Sequence, residues 1–251
     1  MYPNEPPVPI DKECKGCSLT CDASIAGRGP TDPADVKLIV ISDYPGAYES
    51  EFGWPQVPND WVQSQRQKKA KLQQPPNSGA FLRALLHRKY GLDTFTDTWI
   101  TNALRCNPNF NGRTGKATDR NLGNCTSMWG HQEFVWLDHA VPTVPILAAG
   151  AWALKLVKLL YRDLAPTGTV DSLLRYPGLM AGRHPLVVTY NPASYARSYS
   201  QIETSVYVNR RSGLVEVTKV APLDNFIYGS TLIYEGDLAE LDRHLTLPIL
   251  P

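Results

Sequence analysis

The sequence lacks the features that would put the chain in a membrane or carry it out of the cell. No apolar run reaches the roughly 18 residues that a membrane-spanning helix needs. The N-terminal stretch MYPNEPPVPIDKE has neither the basic start nor the apolar centre of a signal peptide. These absences predict a cytoplasmic protein with no membrane partner.

The sequence also lacks an excess of charge of either sign. Its 251 residues include 25 Lys and Arg against 24 Asp and Glu, which gives a net charge of +1. The molecule as a whole therefore has no polyanion-binding signature, and a nucleic-acid surface would have to be a local patch. The apolar fraction of 43% is typical of a globular chain with a substantial core.

Cysteines are few, and their number is odd: Cys14, Cys17, Cys21, Cys106 and Cys125. An odd count argues against a disulfide framework, and clustered cysteines in a reducing compartment indicate metal or redox chemistry. The CxxC pair with Cys106 and Cys125 gives four thiolates, which suit a tetrahedral zinc ion or an iron–sulfur cluster. Spacing does not separate these two groups, and Cys21 is left as a spare thiol. The alternative, buried free cysteines, is less in keeping with a CxxC pair.

Four apolar runs rich in β-branched residues predict strands at 36–42, 98–105, 144–150 and 184–191. Segments with helical periodicity lie between them, at 78–90, from a cap at Thr118 and Asp119 onward, and at 151–163. Alternating strands and helices imply right-handed crossovers and a parallel sheet. We therefore expect an α/β fold, a three-layer α/β/α sandwich around a central four-stranded parallel sheet.

Two parts of the chain lie outside this alternation. Residues 58–78 are polar and include Lys68 and Lys69, so they predict an inserted loop that either grips phosphates or is a solvated charged segment. Residues 201–251 contain alternating and helix-like stretches. We expect residues 1–200 to form one domain with an N-terminal cluster loop, and residues 201–251 to form a C-terminal extension packed on it.

Polar residues follow the predicted strands where each one ends. Asp43 and Gly46 follow the first strand, Asn102 ends the second, Gly150 follows the third, and Asn191 ends the fourth. Ligands bind beyond the carboxyl ends of the strands in open parallel sheets. Asp or Asn before Pro or Gly is also an ordinary turn signal. Their coincidence at one edge nevertheless predicts a polar pocket that reads hydrogen bonds.

The same stretches resemble, in order, the motifs of a known family: CKGCSL at 14–19, SDYPGAYESEFGWP at 42–55, WITNALRC at 99–106, ILAAGAWA at 146–153 and YNPASYAR at 190–197. The family is the iron–sulfur-containing uracil-DNA glycosylases, the thermophile-type branch of the uracil-DNA glycosylase superfamily. The resemblance implies a [4Fe-4S] cluster held by Cys14, Cys17, Cys106 and Cys125 beside a DNA-binding face. We expect a monomer that binds DNA, with zinc as the alternative to the cluster.

The resemblance also implies roles at the strand ends. Asp43 occupies the acidic position that stabilises a cationic sugar or orients water, with Tyr44 and Gly46 beside it in the same motif. Asn102 would bond the edge of a flipped pyrimidine with its donor and its acceptor. Ser194 and Arg197 would lie against phosphate near the flipped nucleotide, and Lys68 and Lys69 would bind DNA.

Two residues depart from the family pattern. Asn191 stands where the family has a histidine that donates to the base carbonyl, and an amide can donate there but cannot become cationic. Gln56 stands where the family has an aromatic residue that stacks on the base, so Trp54, Tyr44 or Tyr48 would have to supply the stacking surface. A polar Gln56 could instead bond a substituent on a modified base.

These features together predict a monofunctional DNA glycosylase that hydrolyses the N-glycosidic bond of a flipped, modified or unusual pyrimidine and leaves an abasic site. Repair, phage genome metabolism and defence against phage with modified DNA would each suit such an enzyme. Three alternatives stay open: a uracil-DNA glycosylase of base excision repair, a non-catalytic DNA-binding iron–sulfur module, and a zinc-stabilised hydrolase acting on nucleotides.

Overall fold

A computed structural model describes residues 17–19, 24–56, 78–108, 115–193, 207–209, 214–216, 238 and 240–245. None of the helices in these ranges combines the length and the apolar character that crossing a bilayer would need. The fold is mixed α/β, and its main element is a five-stranded, mostly parallel sheet.

The main sheet contains β1 (Leu38–Ser42), β2 (Thr98–Asn102), β3 (Ile146–Ala149), β4 (Met180–Ala181) and β5 (His184–Thr189). The strand order is β2-β1-β3-β5-β4, and the first four of these are parallel. The four strands predicted from the apolar runs are confirmed, each shorter than its run. Nearly all of their residues are buried, because helices cover both faces of the sheet.

The fifth strand was not expected. Met180 and Ala181 pair antiparallel with Pro185 and His184, across a two-residue turn in which Gly182 has a φ of +59°. Glycine takes this left-handed conformation without a Cβ clash. A strand of two residues leaves no periodic pattern in the sequence. The prediction of a four-stranded sheet was therefore wrong, because this short antiparallel edge strand adds a fifth.

The helices are α1 (Ala47–Phe52), α2 (Ser78–Tyr90), α3 (Asp119–Cys125), α4 (His131–Ala140), α5 (Ala151–Leu160) and α6 (Val170–Leu173), with a π-helical turn at Thr126–Gly130 and 3-10 turns at Pro33–Asp35 and Leu241–Arg243. The predicted cap is confirmed, since the Thr118 hydroxyl accepts a hydrogen bond from the backbone N–H of Asn121. Such a cap satisfies one of the N–H groups that a helix start leaves unpaired.

Two apolar clusters lie on opposite faces of the sheet. On one face Ile39, Ile41 and their neighbours pack with α4 and α5, and this first cluster includes Cys106 and Cys125. On the other face Leu38 and Val40 pack with α2, and this second cluster includes Leu238 and Leu241. Alternate residues of each strand point to opposite faces, so each strand contributes to both clusters.

The described residues near the C-terminus contact the second face. Tyr90 of α2 donates a hydrogen bond to Asp242 at 2.8 Å, and Lys89 forms an ion pair with Asp242 at 3.0 Å. A separate antiparallel pair joins β6 (Tyr207–Asn209) to β7 (Leu214–Glu216). Residues 238–245 therefore pack on the same core as the sheet.

The outer edge of β2 is occupied by an earlier part of the chain. Arg28 and Ile100 exchange two backbone hydrogen bonds of 2.7 and 2.8 Å, and Ile25 donates to the carbonyl of Arg105 at 2.8 Å. Residues 25–28 thus run antiparallel along β2, and Ile25 lies beside Arg105.

Candidate active site at the carboxyl edge of the sheet

The four parallel strands end level with one another. Ser42 pairs with Asn102 on one side and with Ala149 on the other, and Ala149 pairs with Thr189. Residues paired in register on parallel strands point to the same face, about 4.8 Å apart. These four side chains are buried and continue the rows of the second cluster. Three of them, Ser42, Asn102 and Thr189, are polar and form a polar row at the carboxyl edge of the sheet, interrupted by Ala149.

Asp43, the residue after β1, lies on the N-terminus of α5. Its Oδ1 atom accepts hydrogen bonds from the backbone N–H groups of Trp152 at 2.7 Å and Ala153 at 3.2 Å. The partial positive charge at a helix N-terminus stabilises a carboxylate there. Asp43 is therefore a fixed, half-buried negative charge at the edge where ligands bind in sheets of this kind.

Gly150 makes room for this carboxylate. It precedes α5 with a φ of +124°, and a Cβ atom at this position would overlap the carboxyl group of Asp43. Both the backbone conformation and the close approach require glycine. The junction between β3 and α5 therefore accommodates the Asp43 side chain, which occupies the N-terminus of α5.

Asn191 meets Asp43 from the end of β5. Its Nδ2 atom donates to Asp43 Oδ2 at 3.1 Å, and its Oδ1 atom accepts from the backbone N–H of Ala193 at 2.8 Å. An amide nitrogen carries two donors, so one N–H remains for a ligand. The structure thus brings together the two residues predicted to be catalytic, with Asn191 orienting the Asp43 carboxylate.

Asn102 lies one strand away and is buried. It is 3% exposed, and neither its Oδ1 nor its Nδ2 atom has a hydrogen-bond partner among the described residues. A buried polar group left unpaired costs about 1–3 kcal/mol. The Asn102 amide therefore has hydrogen-bonding capacity for a ligand at this edge of the sheet.

Glu49 of α1 is a buried carboxyl beside this amide. Its oxygens accept hydrogen bonds from the backbone N–H groups of Gly46 at 2.5 Å and Gln56 at 2.6 Å. Burial raises the pKa of Glu49, and the two N–H groups, the nearby Asn102 amide and the Arg83 charge lower it by smaller amounts.

Gln56 is buried next to Asn102. It is 3% exposed, and its Nε2 atom donates to the Ser42 hydroxyl at 2.9 Å, while its Oε1 atom has no partner among the described residues. Because Ser42 and Asn102 are paired in register, the two side-chain amides share one end of the polar row. Gln56 therefore contributes a hydrogen-bonding group at the position where the family that the motifs resemble has an aromatic ring.

The backbone of Gln56 is strained, with a φ of +51°. Arg83 of α2 holds this turn, because its Nε atom donates to the Gln56 carbonyl and its Nη2 atom donates to the Pro55 carbonyl at 3.2 Å. Gly79, one turn earlier on α2, allows the approach, since a Cβ there would overlap the Gln56 backbone. Strain of this kind persists only where the surroundings enforce it, and it occurs often at functional sites.

The remaining predicted residues of the first motif lie around this edge. The Trp54 ring packs 5.7 Å from the Phe95 ring and has the Arg28 guanidinium 5.3 Å from its centroid. Tyr44 is half-buried against the first cluster, on the opposite side from the Gln56 amide. Gly46 is exposed, and its N–H donates to Glu49.

Cys17 lies near the start of α3, and Cys125 is the last residue of that helix. Asn121 donates to Cys17 Sγ at 3.4 Å and to the Ser18 hydroxyl at 3.1 Å. Cys125 lies one turn after Asn121 on the same helix, a spacing that makes the two neighbours. Residue Leu19 lies close to Gly115, whose N–H bonds to the Pro108 carbonyl.

Cys106 is in a disulfide whose partner lies outside the described residues, whereas Cys17 and Cys125 are not disulfide-bonded. All three belong to the first cluster or pack against it. Within the described ranges no group of three or more His, Cys, Asp and Glu could hold a metal ion. Cys14 lies outside those ranges. Cys17 and Cys125 thus both lie near Asn121 of α3, and Cys106 belongs to the same apolar cluster.

Five predicted site residues lie outside the described residues: Cys14, Lys68, Lys69, Ser194 and Arg197. Glu49 and Arg83 belong to the site although sequence reasoning did not select them. Glu49 follows the strand end within the quoted motif, which was the only signal for it. Arg83 carried a weaker signal, a charged residue next to the apolar face of a helix.

The chain matches no protein-family model and no curated protein.

Proposed function

We propose that the protein is a DNA glycosylase that hydrolyses the N-glycosidic bond of a flipped pyrimidine, a modified or unusual base in preference to uracil, and leaves an abasic site. One observation carries the proposal: a fixed Asp43 carboxylate and an unpartnered, buried Asn102 amide lie at the same edge of the sheet. Base excision needs one group that stabilises positive charge on the sugar and another that reads the base.

Asp43 would supply the negative charge. Its hydrogen bonds from α5 and Asn191 keep the carboxylate in place, so little reorganisation accompanies the reaction. From that position it stabilises a cationic sugar or orients the attacking water. The second N–H of Asn191 would donate toward the departing base, on which negative charge develops.

Asn102 would read the base. An amide offers an acceptor and a donor side by side, which matches the alternating groups on the edge of a pyrimidine. A base bound there would satisfy the two atoms that lack partners in the described structure. The resemblance of the Asp43 and Asn102 motifs to those of iron–sulfur uracil-DNA glycosylases supports the same roles.

We propose a [4Fe-4S] cluster as the resident cofactor, held by Cys14, Cys17, Cys106 and Cys125 in the reduced chain, with zinc as the alternative. The supporting observation is the proximity of Cys17 and Cys125 to Asn121. Such a group would stabilise the fold beside the DNA-binding surface. Thiolate-bound iron–sulfur clusters absorb near about 400 nm, whereas a zinc site does not. A colourless protein whose bound metal is zinc would contradict the cluster.

The proposed partner is DNA, bound by a monomer in the cytoplasm. Lys68, Lys69, Ser194 and Arg197 are the proposed phosphate contacts. Their loss should weaken binding to all DNA sequences about equally, because phosphate contacts carry no direct sequence information.

The enzyme assay uses duplexes that carry one uracil, 5-methyl, 5-hydroxymethyl or glucosylated pyrimidine, followed by alkali to cleave abasic sites. Asp43→Asn should lower strand scission by about 100-fold or more while DNA binding persists. The matched control is Asp35→Asn, since Asp35 is an exposed carboxylate at the opposite end of β1. Scission by the control should equal that of the wild type.

The same assay separates an enzyme from a binding module. Asn102→Ala should also abolish base release while affinity for undamaged duplex stays within a few fold. If the wild-type protein binds DNA but cleaves none of the duplexes, the protein is a non-catalytic DNA-binding module and not a glycosylase.

A further inference from the structure

The side-chain amide of Gln56 has a hydrogen-bonding group that no described residue uses. Its Nε2 atom is committed to the Ser42 hydroxyl at 2.9 Å, whereas its buried Oε1 atom has no partner among the described residues. Native proteins leave few buried polar atoms unpaired. With the amide in this orientation, the open group on Gln56 is an acceptor, which a hydrogen-bond donor on a ligand would satisfy.

Three neighbouring residues fix the backbone of Gln56 and thereby the position of its side-chain acceptor. Glu49 accepts from the Gln56 N–H, Arg83 donates to the Gln56 carbonyl, and Gly79 leaves space for the turn, although the φ of +51° is unfavourable for a residue with a Cβ. A glutamine held in a strained conformation by three neighbours cannot easily turn its amide toward solvent. We take the strain as a sign that the amide has a function at this position.

The acceptor lies within reach of a base read by Asn102. Ser42, which holds the Gln56 amide, is the in-register neighbour of Asn102, and adjacent strands lie about 4.8 Å apart. A single pyrimidine with one substituent is large enough to contact both amides. Asn102 supplies a donor and an acceptor to the pairing edge, so Gln56 is left for a group beyond that edge.

We propose that Gln56 makes the site selective for pyrimidines whose substituent carries a hydrogen-bond donor, such as a hydroxyl or an amine. The proposal rests on the glycosylase function above and defines its substrate class. A methyl group or a carbonyl facing Gln56 Oε1 would leave that oxygen buried and unpaired, whereas a hydroxyl would satisfy it. Sites built to bond a substrate hydroxyl discriminate strongly against analogues that lack it.

The test compares three substituents of similar size on the same ring: 5-hydroxymethyl, which donates; 5-methyl, which is apolar; and 5-formyl, which only accepts. Each is placed in a uracil and in a cytosine series, and single-turnover base release is measured. For the wild type, release of the hydroxymethyl base should be about 10- to 100-fold faster than release of the other two.

Gln56→Leu, which removes the amide, should reduce this ratio to about threefold or less, and Gln56→Asn, whose shorter amide does not reach Ser42, should do the same. Gln132→Leu is the matched control, because Gln132 is exposed on α4, away from the site, and the substitution makes the same chemical change. Circular dichroism of each variant checks that the fold is kept.

The outcomes separate this inference from the proposed function. Equal release of the three substituents, a preference for the formyl base, or an unchanged preference in Gln56→Leu would overturn the role of Gln56 and leave the glycosylase standing. If no base is released, the affinity of the protein for the same duplexes decides. Tighter binding of the hydroxymethyl duplex that Gln56→Leu abolishes would support the selectivity assigned to Gln56. Equal affinities for the three duplexes would overturn that selectivity as well as the glycosylase activity.

Discussion

Gly150 is the residue on which the position of the Asp43 carboxylate depends most directly. Gly150→Ala places a Cβ against that carboxylate in a backbone conformation with a φ of +124°. We expect the free energy of unfolding to fall by about 1–3 kcal/mol. Base release should fall at least about tenfold, because Asp43 has to move off the N-terminus of α5. Denaturant unfolding and the abasic-site assay measure the two effects.

Gly123→Ala is the control for this change. Gly123 lies in α3, and a Cβ at that position meets nothing within 4 Å. Alanine in a helix interior should leave stability unchanged or raise it by up to about 1 kcal/mol. If Gly150→Ala behaves like Gly123→Ala in both measurements, Asp43 does not depend on the glycine.

Glu133 is the second residue with a large expected effect. It is buried, pairs with Arg105 at 2.5 Å, and accepts a hydrogen bond from the Trp99 indole at 2.7 Å. Glu133→Ala would leave the Arg105 charge buried and uncompensated, which should cost about 3–5 kcal/mol of unfolding free energy in urea. Asp119→Asn, which alters an exposed ion pair with Lys155, should cost no more than about 1 kcal/mol. Equal losses of unfolding free energy in Glu133→Ala and Asp119→Asn would contradict the expected difference between the buried and the exposed ion pair.

The buried carboxyl of Glu49 predicts a pH dependence. Its pKa in the folded state is raised above the ordinary value of 4.5, chiefly by burial. The folded protein therefore keeps this proton at pH values where the unfolded chain has released it. The stabilisation is complete below about pH 4.5 and is lost as the pH rises through the folded-state pKa.

The measurement is the difference in unfolding free energy between wild type and Glu49→Gln, from about pH 4 to about pH 8. The difference in favour of the wild type should be largest at acid pH and should shrink as the pH rises. A difference that stays constant, or that grows with pH, would mean that the pKa of Glu49 is not raised by folding.

At the scale of elements, the start of α3 connects a helix cap to the loop that carries Cys17. Thr118→Ala removes a cap and should cost about 0.5–2 kcal/mol of unfolding free energy. Asn121→Ala should cost more than Thr118→Ala, because Asn121 also donates to Cys17 and to Ser18. Denaturant unfolding of both single variants tests this order, and a smaller loss for Asn121→Ala would show that the loop contacts add no stability.

The strands and most helices could be predicted because apolar periodicity depends on neighbouring residues alone. The second strand stops earlier than its apolar run, although the N–H groups of Ala103 and Leu104 still bond the Ser42 and Asp43 carbonyls beyond its end. Asp43, Asn102 and Asn191 could also be anticipated, because polar residues at strand ends meet at one edge in any parallel sheet.

The inner part of the site could not be predicted in the same way. Arg83 is placed by the packing of α2 against the turn at Pro55 and Gln56, a contact between segments far apart in sequence. The direction of the Trp54 ring depends likewise on Arg28 and Phe95. Tertiary contacts of this kind leave no periodic pattern, so sequence could name Gln56 and Trp54 but could not say which one faces Asn102.

For the whole molecule, the two apolar clusters separate the cysteine region from the amide pair of Asn102 and Gln56. Cys106 and Cys125 belong to the first cluster, and the polar row continues the second. Cys17→Ser should therefore lower the thermal midpoint and the proposed cluster absorption, while the ratio of release rates between two bases stays within about twofold. A changed ratio in Cys17→Ser would show that the two regions are coupled.

The segment that occupies the outer edge of β2 also affects how copies of this chain meet. An exposed strand edge offers unpaired N–H and C=O groups to another chain, and proteins that leave long edges open tend to aggregate. Here Arg28 takes both hydrogen bonds that Ile100 would otherwise offer, and the opposite edge strand, β4, is only two residues long. Neither end of the main sheet thus presents a long template for a further strand, so concentrated protein should resist the edge-to-edge pairing that starts fibrils.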